Sequence, residues 1–161
     1  MKNILFIILI PLFIFSQNTV CFSIEENPNP DILALSLFTK YINVFDCVHI
    51  YAEQSISDQK VLYAAAIAAE LLDNNEDGII DDDNVKNELM SIYTVMPLFA
   101  YEGSNAEDLL FDNFEDLMDN NNFCAGAVLY NNEIDPSSPG FWNDDASVEE
   151  ILHTINTCSH V

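Results

Sequence analysis

Apolar and polar residues alternate over residues 41–52. Ile42, Val44, Val48, Ile50 and Ala52 fall on one side, and Tyr41, Phe45, Cys47, His49 and Tyr51 on the other. A period of two built from β-branched and aromatic residues predicts a strand. The period then changes. Val61, Leu62, Ala65, Ala68, Ala69 and Leu72 recur at helical spacing behind Ser57 and Asp58, either of which supplies an N-cap, so 58–72 is predicted helical. A second helix starts at Asp83 or Asn84 and carries Val85, Leu89 and Ile92. Residues 93–101 are rich in β-formers but include Pro97, which removes a ladder donor and predicts an edge strand or an irregular segment.

Residues 105–119 read as one amphipathic helix, with Ala106, Leu109, Leu110, Phe114, Leu117 and Met118 inward. Residues 123–130 are a further strand candidate. Residues 131–143, with Pro136, Pro139 and Gly140, read as a loop. Ser147 caps a last helix that runs to about Thr157. At the other end, 24–30 is a flexible start, and Asp31 caps a short helix over 32–38. The sum is a small single α+β domain with about four helices and a few strands, with no repeat and no linker.

The first residues carry a different signal. Lys2 precedes an apolar run from Ile4 to Phe15 that only Pro11 interrupts. Cys21 and Ser23 put small residues at −3 and −1 of a cut before Ile24, and a cut after Ser16 is the alternative. This is the pattern of a secretory signal peptide over 1–23, too short for a membrane anchor. It predicts an extracellular or periplasmic protein of 138 residues out of 161, enough for one core.

Charge narrows the partners. The chain has 27 acids, four lysines and no arginine, a formal charge of −23 that becomes −24 without Lys2. A polyanion of this density has no counter-charge for nucleic-acid phosphates and is repelled by anionic membranes. Divalent cations are the natural partners. Secretion permits disulfides, and Cys47, Cys124 and Cys158 allow three single bridges with one thiol left over. No C-x-x-C pair is present, which argues against a cysteine zinc site.

The sharpest chemistry lies between the two predicted helices. Asp73-Asn74-Asn75-Glu76-Asp77-Gly78-Ile79-Ile80-Asp81 places oxygen-bearing side chains at alternate positions and a glycine where the chain turns. Calcium takes six to eight oxygens in tolerant geometry, so the spacing suits it. Six carboxylates lie between Asp73 and Asp83. At about 6 Å each pair repels by roughly 0.7 kcal/mol even in water, which a divalent cation relieves. The same residue types also make an ion-free turn.

The loop resembles the EF-hand and the acidic loops of dockerin modules and thrombospondin type-3 repeats. The resemblance implies that Asp73, Asn75, Asp77, the carbonyl of Ile79, Asp81 and Asn84 bind calcium. Gly78 takes a positive φ and Ile80 is an apolar plug. Asn84 stands where an EF-hand has a bidentate glutamate, so Asp82 or Asp83 is a substitute ligand. The implied site is structural, with affinity of roughly 10⁻⁴ to 10⁻³ M.

A second constellation is Glu149-Glu150-Ile151-Leu152-His153. On a helix, Glu149 and His153 share a face. The pattern is similar to the H-E-x-x-H helix of zincin metallopeptidases, with glutamate for the first histidine. The resemblance implies zinc held by Glu149 and His153, with Glu150 as the base that activates water. His160, seven residues on, is the candidate third ligand, although a metzincin places its third ligand six residues on. The chain then reads as a degenerate relative or as the N-terminal part of a longer zincin-like domain. The plain alternative is a capped helix, with Ser147-x-x-Glu150 as a capping box. One E-x-x-H helix falls short of a di-iron site. Cys47 and His49 read as core.

Overall fold

The computed structural model describes residues 21–138 and 145–160. The signal-peptide reading falls almost wholly outside them. Ile24, just after the expected cut, packs against the core, and Glu25 bridges to Tyr41.

Period-two alternation gives a sheet, as expected, but 41–52 is not one strand. It is a hairpin of β1 (Phe38–Val44) and antiparallel β2 (Val48–Glu53). The turn was hidden because it lacks the usual Asn-Gly or Asp-Gly pair. Phe45 and Asp46 both take left-handed backbone, φ 55° and 57°, a strained choice for a phenylalanine. Asn43 holds the turn: its Oδ1 accepts the Asp46 N–H at 2.9 Å, and its amide donates to Asp46 Oδ1 at 2.6 Å.

The predicted faces nonetheless survive the turn. Ile42 pairs with Ile50, Val44 with Val48 and Tyr41 with Tyr51, so even positions meet even and odd meet odd. Two residues at the turn depart from the expectation. Cys47 and Phe45 pack with the even-numbered face rather than against it. Phe38, at the start of β1 and outside that alternation, is a separate case. The register shifts between Phe38 and Lys40, and that slip sends Phe38 to the odd-numbered face.

From β2 the chain runs through α1 (Asp58–Leu72) and α2 (Asp83–Ser91) to β3 (Tyr93–Phe99), which lies parallel to β2. Pro97 misled here, since β3 is central rather than an edge. Its far side pairs with β4 (Phe123–Cys124) at Tyr93 and Thr94 and with β5 (Leu129–Tyr130) at Leu98 and Phe99. Pro97 falls in the interruption between those two short ladders. The predicted strand over 123–130 is accordingly split into β4 and β5.

The predicted helix over 105–119 is also split, into α3 (Asn105–Asp112) and α4 (Phe114–Asn121). Asn113 leaves helical geometry, and its amide donates to the Leu109 carbonyl at 2.8 Å. Met118, expected inward, is 44% exposed, whereas Ala106, Leu110 and Leu117 are buried. The expected helix over 32–38 shrinks to a 3₁₀ turn at Leu33–Leu35, because β1 claims Phe38. The last helix, α5, spans Ser147–Ser159.

These elements form three layers. The even-numbered sheet face packs on α1, α2 and α5 through residues such as Val61, Leu72, Leu89 and Ile151. The odd-numbered face packs on the 3₁₀ turn, α3 and α4 through Leu35, Leu110 and Leu117. The fold is α+β, with five helices and a mixed five-stranded sheet among the described residues. Of the possible bridges, Cys124–Cys158 forms and ties β4 to α5, while Cys47 stays a buried thiol. Burial pushes that thiol up to about 11, so it is inert as a nucleophile.

Candidate functional site

The apolar face of α1 fixes where the acidic loop begins. Leu72 is in the core, and the next residue, Asp73, caps the helix while only 4% exposed. Its two oxygens are spent on turning the chain. Oδ1 accepts the N–H of Asp77 at 3.2 Å, and Oδ2 that of Gly78 at 2.7 Å. Asn75 Oδ1 also accepts from Asp77 at 3.0 Å, and Asp77 Oδ1 from Ile79 at 2.9 Å. Gly78 has φ +84°, the left-handed turn expected at that position, which a Cβ disfavours.

The return limb closes the loop. The N–H of Asp81 donates to the Leu72 carbonyl at 2.9 Å. The Asp81 carboxylate accepts from the Asn74 N–H at 2.8 Å and from the Asn75 amide at 3.0 Å. The third and ninth positions of the loop therefore meet across it. Ile80 is buried in the core between these polar neighbours, and Ile79 faces out. Asp82 starts α2 by accepting from Asn84 and Val85 N–H groups at 2.8 and 3.3 Å. Asn84 lies in the first turn of α2, exposed, its backbone used by that cap.

The donor set fits a hard divalent cation in kind: each ligand position offers an oxygen, although Asn75 also turns its amide N–H toward Asp81. The acids also keep lone pairs, since most of these oxygens accept a single hydrogen bond. Asp81 Oδ2 is the exception, with two. Asp73, Asp77 and Asp81 are not drawn into a tight cluster, because each is satisfied by amides of its own loop.

The tight cluster is on α5. Glu149, Glu150 and His153 offer ligand atoms within 4.8 Å of one another, the one such group of His, Cys, Asp and Glu among the described residues. His153 Nδ1 is 3.4 Å from Glu150 Oε2. His160 is not in this group. It caps the C-terminus of α5 with φ 53°, about 10 Å further along the axis at 1.5 Å per residue.

The expected capping box at Ser147 does not form. Ala146 is the N-cap, and Ser147 turns its hydroxyl to Asp145 Oδ1 at 2.7 Å. Asp145 is the organiser that sequence reasoning missed. Buried at the start of α5, it accepts from Tyr63 of α1 at 2.6 Å and from the Ser147 N–H at 3.2 Å. Burial opposes its ionisation, but the bonds from Tyr63 and Ser147 win and hold its carboxyl below the usual range. An Asp-x-Ser run just before a helix was the available signal.

Gly126 was missed too. It lies against α5, and a Cβ there would sit 2.7 Å from Thr154 Cα and 2.8 Å from the His153 carbonyl. Together with Cys124–Cys158, it holds α5 close to the segment between β4 and β5.

Cys47 and His49 do not form a catalytic pair. His49 lies between aromatic rings, stacked on Tyr93 at 3.8 Å, with Nδ1 2.7 Å from the Tyr41 hydroxyl. Burial pushes its pKa down to about 4, against a smaller upward pull from Asp46. Comparisons of the chain with protein-family models, with curated proteins and with solved structures gave no match.

Proposed function

We propose that the protein is a secreted calcium-binding protein whose ion sits in the loop from Asp73 to Asn84 and pins α1 to α2. One observation carries the reading: buried Asp73 turns the chain by accepting from the Asp77 and Gly78 N–H groups, which brings the alternating oxygens of Asp73 to Asp81 onto one short loop. The oxygens of Asp73, Asn75, Asp77 and Asp81 and the carbonyl of Ile79 supply the ligands. Asn84 offers one oxygen where two are usual, so affinity is low and suits surroundings rich in calcium. The calcium has a structural role, and the acidic surface keeps nucleic acids and anionic membranes away. Calorimetric titration tests this. Heat saturating at millimolar calcium is expected, with tighter binding in Asn84→Glu. No heat in either protein overturns the reading.

The convergence of Glu149, Glu150 and His153 favours a second reading, a zinc-dependent hydrolase or a degenerate relative of one. Glu149 and His153 would hold the metal, which would lower the pKa of a bound water, and Glu150 would take its proton. All three come from the outer face of one helix, and His160 is out of reach, so the set is incomplete as it stands. Zinc analysis of the purified protein decides it. Stoichiometric zinc that is lost in Glu149→Ala and His153→Ala supports it, and its absence counts against it.

A further inference from the structure

The sheet face opposite the acidic loop carries a groove that neither reading uses. It lies between the 3₁₀ turn and α4 and encloses about 370 Å³. One wall is apolar, built from Ile32, Leu33 and Ala34, with Leu33 59% exposed. The other is the face of α4 that presents Asp116 and Asn120, one helical turn apart, over the buried Leu117. Asp116 and Asn120 are exposed, so their polar groups are available to a ligand.

Charge selects the occupant. α3 and α4 contain six acids and no base, and five of those acids are exposed. Glu107 is the sixth, turned inward to accept from Tyr130 and Gly103 at 2.5 Å each. No lysine or arginine follows Lys86 anywhere in the chain. Of the other lysines in the folded part, Lys40 is paired with Asp58 and Lys60 donates to the Asn131 carbonyl. The groove thus combines an apolar wall, side-chain amides and one unneutralised carboxylate, Asp116, beside the wider acidic surface of α3 and α4.

We infer that this groove binds a cationic peptide segment of a partner protein, with an apolar side chain seated against Ile32 and Leu33 and a lysine or arginine at Asp116. Electrostatic complementarity sets its specificity and makes it sensitive to salt.

The test is an NMR titration of the full folded chain in millimolar calcium with a synthetic Leu-Lys-Leu-Arg peptide. The charge-reversed Leu-Glu-Leu-Glu peptide and a Leu-Ser-Leu-Ser peptide with uncharged side chains are the controls. Saturable shifts confined to residues 32–34 and 113–121 are expected, for the cationic peptide alone. Leu33→Lys with Asp116→Lys should weaken binding about tenfold or more, with the fold unchanged in the same spectra. Equal binding of the neutral peptide overturns the proposal. So do shifts spread over all acidic surfaces, or an unchanged affinity in the double variant.

Discussion

The loop between α1 and α2 and the first turns of α5 both gather acids, but by different means. In the loop, ligand positions are spread over twelve residues, and side-chain-to-backbone bonds decide where they point. On α5, the helical period alone brings Glu149 and His153 to one face, and tertiary structure only places the helix. The loop has a buried anchor in Asp73, whereas Glu149 and His153 are exposed. A loop can surround an ion with oxygens, while one helix offers a ligand set open on every other side. The comparison favours the loop as the ion site and leaves α5 as a platform that lacks a second wall.

Breaking the α5 platform should have the largest effect. Gly126→Val drives new atoms into Thr154 and His153, with a cost of about 3 kcal/mol or more. Denaturant unfolding checks the number. A cost below about 1 kcal/mol would mean that α5 is not held by this contact.

Acid should produce a similar loss from a site that belongs to neither region. His49 has its pKa pushed down from 6.5 to about 4 by burial. As pH falls, the unfolded chain takes up this proton first. The contribution of His49 is therefore full above pH 6.5 and is lost between 6.5 and 4, about 3 kcal/mol in all. His49→Phe should flatten that window in urea unfolding curves, so that any pH effect on calcium binding can be read against a flat background.

Asp73→Ala sharpens the comparison from the loop side. It leaves the Gly78 N–H without its acceptor and the Asp77 N–H with Asn75 alone, at about 2 kcal/mol, and should abolish any calcium response. The smallest effect belongs to the exposed Glu149 and His153 of α5. Glu149→Ala with His153→Ala should change stability by less than about 0.5 kcal/mol, read by thermal melts with and without calcium.

Long-period features were legible before the structure. The helix Asp58–Leu72 matches its predicted bounds, and, apart from Phe45 and Cys47 in the turn itself, the two sheet faces were assigned correctly through a turn that was not seen. Parity explains this, because three turn residues, Phe45, Asp46 and Cys47, separate the paired Val44 and Val48 and so keep even positions opposite even ones. What was lost depended on single residues reading their tertiary context. Phe45 and Asp46 accept a left-handed turn without glycine, Pro97 fits a central strand because its neighbour ladder is interrupted there, and Asn113 breaks a helix whose apolar period continues past it. In the site, the spacing of oxygens from Asp73 to Asp81 was visible in sequence, as was Glu149 with His153. Asp145 and Gly126 were not, because their roles come from partners far along the chain, Tyr63 and Thr154.

The central claim is that the Asp73–Asn84 loop is a calcium site that stabilises the fold. Thermal unfolding of the wild-type chain across a calcium titration, with magnesium as the control, tests it most directly. At calcium ten times Kd, stabilisation of about 1.4 kcal/mol is expected. That corresponds to a rise of about 3–6 °C in Tm. Asp73→Ala should show none. A Tm that stays flat through 10 mM calcium, or that rises equally with magnesium or in Asp73→Ala, would contradict the account.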